Sequence, residues 1–180
     1  MVYNYQEVLK IFGNRNNIEV AIKNRKIYRI DRGIYSDNKL VNPLIVVSKK
    51  YPNAIITMDS AFYYYDLTDV IPNKVYLATN RKSNCIKNEK IEQIFMSKEI
   101  LMQGKTQVKI DECLVNIYDK ERLLIELIRK KSKIPFDYYK EIINNYREIK
   151  DELDMYKIEE YVSLFKNDVS LYDILQREVF

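Results

Sequence analysis

The 180-residue sequence predicts an α+β protein. Three observations predict it. Two short amphipathic helical patterns lead into a β-rich hairpin within residues 1–40. Residues 41–118 mix helix starts with short runs of branched and aromatic residues. No glycine follows Gly104, and from Asp119 the apolar spacing is helical.

The elements follow in order. "YQEVLKIFG" sets Val8, Leu9, Ile11 and Phe12 on a helical stripe, and Gly13 ends it. "NIEVAIKNRK" repeats the pattern with Ile18, Ala21 and Ile22; Asn16 or Asn17 serves as N-cap, and cations occupy the last turn. "KIYRIDRGIYS" reads as two strands about an Asp-Arg-Gly loop of three residues, Gly33 supplying the positive φ. Asn42-Pro43 starts a helix that runs to about Lys50, before Pro52. "NAIIT" is a short apolar run, and Thr57 or Asp59 caps a helix through Ala61, Tyr64 and Tyr65. "NKVYLATN" and "IEQIFMS" are strands, and "TQVKIDECLVNIY" is a hairpin. Asp119 caps "KERLLIELIRKK", and helices continue over 135–149, 153–165 and 170–176 as a C-terminal packet.

Charge divides the chain unevenly. Residues 1–40 hold eight cations and four anions, an excess equal to the whole net charge of +4, so residues 41–180 carry 22 of each sign. A small basic module on a neutral body is the asymmetry expected when one end meets a polyanion.

Two helices, a tight turn and a hairpin make the pattern of a winged helix-turn-helix, abbreviated here because only "MVYNY" precedes the first helix. Asn16, Asn17, Lys23 and Asn24 then lie on or beside the recognition helix. Arg25, Lys26, Tyr28, Arg29, Arg32 and Gly33 form the wing. Arginine binds phosphate or guanine in bidentate fashion and asparagine reads adenine. About four phosphate contacts predict a log–log salt slope of roughly −3 to −4. The domains expected are 1–40, binding DNA, and 41–180, made of an α/β segment over 41–118 and helices over 119–180.

The wing "IYRIDRGIY", the segment "PNAIITMDSAFYYYDLTDVIPNKVYLATN" and "IYDKERLLIELIR" together resemble the AbiEi family of type IV antitoxins, in order over about residues 5–131. The resemblance implies a bifunctional abortive-infection protein. Its winged helix represses its own operon on inverted repeats in the promoter, as a dimer or cooperatively. Its C-terminal domain counteracts a nucleotidyltransferase-like toxin without a stable complex. By position, Arg32, Gly33 and Tyr35 fall in the wing, Ser60 and Ala61 in the central helix, and Asp119, Glu121 and Arg122 in the antitoxin domain.

The absence of histidine excludes His-based metal sites and Ser-His or Cys-His nucleophiles. Cys85 and Cys113 form no CxxC pair and read as inert reduced thiols. The acidic pair in "DKER" is a candidate for Mg²⁺, which would make a metal-dependent nuclease delivered by the winged helix; N-capping explains the same residues. "EIK" at 148–150 fails as a nuclease motif because it falls in a helix. "FYYYD" reads chiefly as core. A plain ligand-sensing transcription factor is the third reading. The expectation is no catalytic centre, no cofactor, no membrane segment and a cytoplasmic location.

Overall fold

A computed structural model describes residues 1–165 and 168–180. The chain is mixed α+β and divides into two compact units, Met1–Ala54 with Gln107–Asn116, and Ile55–Thr106 with Ile117–Phe180.

The first unit runs β1 (Val2–Asn4), α1 (Tyr5–Phe12), α2 (Arg15–Lys23), β2 (Tyr28–Asp31), β3 (Ile34–Ser36) and α3 (Pro43–Lys50). A capping box starts α1: Asn4 Oδ1 accepts the Glu7 N–H at 2.9 Å, and Glu7 Oε2 accepts the Asn4 N–H at 2.7 Å. Gly13, at φ +82°, ends it by donating to Leu9 O. Helix α2 starts earlier than expected. Its cap is Asn14, whose Oδ1 accepts the Asn17 N–H at 2.9 Å, not Asn16 or Asn17.

The strands form a sheet of order β1-β3-β2, antiparallel throughout. Strand β1 is a correction to the reading of "MVYNY" as a mere lead-in. It becomes a strand by pairing Tyr3 with Tyr35, thirty-two positions away, and so leaves little local trace. The hairpin also differs in detail. Asp31 pairs with Ile34, which leaves Arg32 and Gly33 as a two-residue loop, and a bulge between Arg29 and Asp31 takes up the third residue. Val8, Ile18, Ala21, Ile27 and Tyr35 form the core, with Leu9, Phe12 and Ile22 packed on it. Each fully buried aliphatic side chain there contributes about 1.5–3 kcal/mol. Ile11, expected on that stripe, is instead exposed. Helix α3 packs on β1 and β3, so the unit that holds residues 1–40 runs on to Ala54.

The second unit contains β4 (Ile55–Ile56), α4 (Met58–Tyr64), β5 (Val75–Asn80), β6 (Ile91–Met96) and α5 (Lys98–Leu101). Strands β7 (Lys105–Ile110) and β8 (Cys113–Tyr118) follow, their residues 107–116 belonging to the first unit, then helices α6 (Lys120–Arg129), α7 (Phe136–Glu148), α8 (Met155–Ser163) and α9 (Asp168–Glu178). The sheet order is β6-β5-β4-β8-β7. Strands β5 and β6 are parallel although only residues 81–90 join them, with no helical crossover. Gln93 holds that return: its Oε1 accepts the Ile86 N–H at 2.7 Å, and its Nε2 donates to Thr79 Oγ1 at 2.8 Å and Asn84 O at 3.2 Å. Helix α6 is buried from Glu121 to Ile128, wrapped by α4, α8 and α9. Among the described residues no helix is long and apolar enough to cross a membrane.

Candidate nucleic-acid interface

The basic residues of the first unit stay outside its core. Arg15, Lys23, Arg25, Lys26, Arg29 and Arg32 are all exposed. Among the described residues none of them joins an ion pair. Three of the four anions of the same segment, Glu19 excepted, are treated differently. Glu7 meets Lys49 Nζ at 2.9 Å and Asp31 meets Lys50 Nζ at 2.6 Å, both lysines coming from α3. Burial works against both carboxylates. The lysine bonds and the backbone N–H groups of Asn4 and Arg32 outweigh it and hold each below its ordinary value. Asp37 pairs with the Met1 ammonium group. The fold therefore screens three anions and leaves the cations free to make a positive surface.

Helix α2 sorts its residues by side. Ile18 and Ala21 are buried, while Asn16, Glu19, Val20 and Lys23 are exposed on the opposite face at spacings of three and four. Asn16 and Lys23 thus lie together on the outer face. Asn17 does not join them, because its Nδ2 donates to Phe12 O at 2.8 Å and closes the end of α1. Asn24 is the C-cap.

Arg25 and Lys26 belong to the joint between α2 and β2 and not to the hairpin, which begins at Tyr28. Arg25 adopts φ +55°. Its N–H donates to Ile22 O at 3.0 Å and the Lys26 N–H donates to Ala21 O at 2.9 Å, the bonding pattern of a left-handed helix ending. Glycine is the usual residue there, so an arginine stores about 1 kcal/mol of strain. Sequence reasoning gave no hint of this, since the absence of a glycine after α2 reads only as a continued basic run. Arg29 pairs with Tyr35 in the sheet, and Tyr28, half-buried, pairs with Ser36. Arg32 occupies the loop, its N–H bonded to Asp31 Oδ1 at 2.6 Å, and Gly33 follows at φ +77°.

In the second unit Asp119, Glu121 and Arg122 are brought together; both carboxylates are engaged within the protein, while Arg122 Nε and Nη1 are buried without a hydrogen-bond partner. Asp119 Oδ1 caps α6 through the Arg122 N–H at 2.9 Å, and Oδ2 accepts from Tyr161 at 2.9 Å. Glu121 Oε1 accepts the Asp154 N–H at 3.0 Å. Arg122 is fully buried, bonded to Glu126 Oε1 at 2.7 Å, with its guanidinium 5.0 Å from the Tyr118 ring and 5.3 Å from the Phe165 ring. Among the described residues no group of three or more His, Cys, Asp or Glu is placed to hold a metal ion.

Of the aromatic run, Phe62 is core and Tyr63 is exposed. A second polar cluster surrounds the start of α4, where Thr57, one of the two expected caps, takes the N-cap position without a side-chain cap bond. Burial raises the Asp59 carboxyl above its ordinary value and lowers Lys130, while the hydroxyls of Thr57 and Tyr138 are buried without a partner. No protein-family model matches the chain, and no curated protein matches it.

Proposed function

We propose that this chain is a DNA-binding autorepressor and antitoxin of the AbiEi type. In this reading α1, α2 and the β2–β3 hairpin act as an abbreviated winged helix-turn-helix. Helix α2 enters the major groove, and the Arg29–Arg32 tip rests on the backbone or in the adjacent minor groove. The single observation that carries the DNA half is the sorting of charge: six exposed cations without ion-pair partners among the described residues, on a unit where Glu7 and Asp31 are neutralised from α3. The antitoxin half rests on the ordered resemblance of three segments. It assigns residues 41–180 to counteracting a nucleotidyltransferase toxin without a stable complex.

Gel shifts on duplex DNA from upstream of its own coding sequence test the first half. The Arg29→Ala/Arg32→Ala variant should bind more weakly, with the salt slope reduced by about 2, one unit per lost phosphate contact. Unchanged affinity removes the wing from the account. Co-expression with a nucleotidyltransferase encoded beside it tests the second half: rescue of growth by the full chain is expected, and no rescue leaves a regulator only.

A further inference from the structure

The outer face of α2 carries an apolar residue that the fold does not use. Val20 is 53% exposed, lies opposite the buried Ile18 and Ala21, and sits four residues after Asn16 and three before Lys23. An exposed valine on a nine-residue helix contributes nothing to the core and lowers helix propensity relative to alanine. Beside it stands Glu19, exposed and without an ion-pair partner among the described residues. A carboxylate facing a phosphate would be repelled, whereas at base edges it accepts from the amino group of cytosine.

A stripe that combines an amide, a carboxylate and a branched methyl pair, on the most basic unit of the chain, is complementary to base edges and poorly suited to backbone. We propose that Val20 is a specificity-determining residue that packs against the 5-methyl group of a thymine in the major groove, with Asn16 one turn earlier reading a neighbouring adenine. This rests on the reading of α2 as the recognition helix. It adds which half-site letters that helix distinguishes.

The test separates the two levels. The full-length protein selects duplexes from a randomised pool, and the enriched duplex is resynthesised with uracil replacing thymine at one position at a time, which deletes the methyl group alone. Wild type should lose about fourfold in affinity at one or two positions, the size expected for removing one buried methyl. Val20→Ala should bind the thymine duplex about fourfold more weakly and be indifferent to uracil at those same positions. Uracil losses of equal size in both proteins, or none in the wild type, overturn the assignment while leaving DNA binding intact. Failure to enrich any duplex overturns the recognition-helix reading itself, and the proposal with it.

Discussion

Gly104 and Arg122 are in backbone-to-side-chain contact so close that a methyl group on Gly104 would stand 2.4 Å from Arg122 Cβ and 2.8 Å from its Cγ. The Gly104 carbonyl also accepts the Asp119 N–H at 2.8 Å, so strand entry and helix start are fixed at one point.

Gly104→Ala should therefore destabilise the protein by about 3–4 kcal/mol, combining overpacking with a φ of +74° that alanine disfavours. Urea denaturation measures it, and a loss below about 1 kcal/mol would show that α6 shifts freely.

The buried ion pair of α6 makes a second prediction. Glu126 is 1% exposed and accepts from both Arg122 and, at 3.2 Å, Arg129. Glu126→Leu leaves the Arg122 charge buried without its carboxylate and should cost about 3–5 kcal/mol. Adding Arg122→Met should restore most of the loss, because a well-packed apolar pair avoids the desolvation penalty. A double variant as unstable as the single one would refute this.

Arg25 sets stability against binding. Arg25→Gly relieves the left-handed strain at φ +55° and should raise stability by about 0.5–1 kcal/mol. The same change removes an exposed cation beside α2 and should weaken DNA binding and flatten its salt dependence. Parallel thermal melts and gel shifts decide; a gain or a loss in both together contradicts the trade-off.

Acid should act on Asp31 and Asp59 with opposite sign. The carboxyl of Asp31 is held below its ordinary 3.8, so its contribution to stability is complete above that value and is lost as pH falls through the lower folded value. Asp31→Asn should blunt the acid sensitivity of the first unit. Asp59, raised above the same 3.8 chiefly by burial, binds its proton more tightly when folded, and its ionisation opposes folding as pH rises. Asp59→Asn should thus stabilise at neutral pH and change little at pH below the ordinary value. Denaturation midpoints of each variant across pH are the measurement.

Elements whose boundaries are written in local chemistry were legible. The Asn42-Pro43 start of α3, the Gly13 stop of α1 and the Asp119 cap of α6 each rest on residues within one turn of the feature. Partner-dependent features were not. Strand β1 exists through β3, and the parallel pairing of β5 with β6 depends on a Gln93 amide reaching the return loop. The run "NRNN" contains three competent caps, and only the approach of α1 selects Asn14. Glu121, Arg122 and Glu126 read as a polar face of α6, and they are buried because α4, α8 and α9 enclose that helix on all sides. Of the candidate interface, the cation positions were visible in sequence, whereas the exposure of Val20 and the conformation of Arg25 needed the packing of α2.

The buried central strand β3, held between β1 and β2, gives the hairpin tip an evolutionary property. Because Ile34, Tyr35 and Ser36 carry the strand's anchoring, the residue at position 32 is free to vary while Gly33 keeps the turn. Such a tip is an exchangeable letter on a fixed frame. On the DNA-binding reading proposed above, paralogues with new operators arise by rewriting it and the outer face of α2, with no change to the framework that presents them.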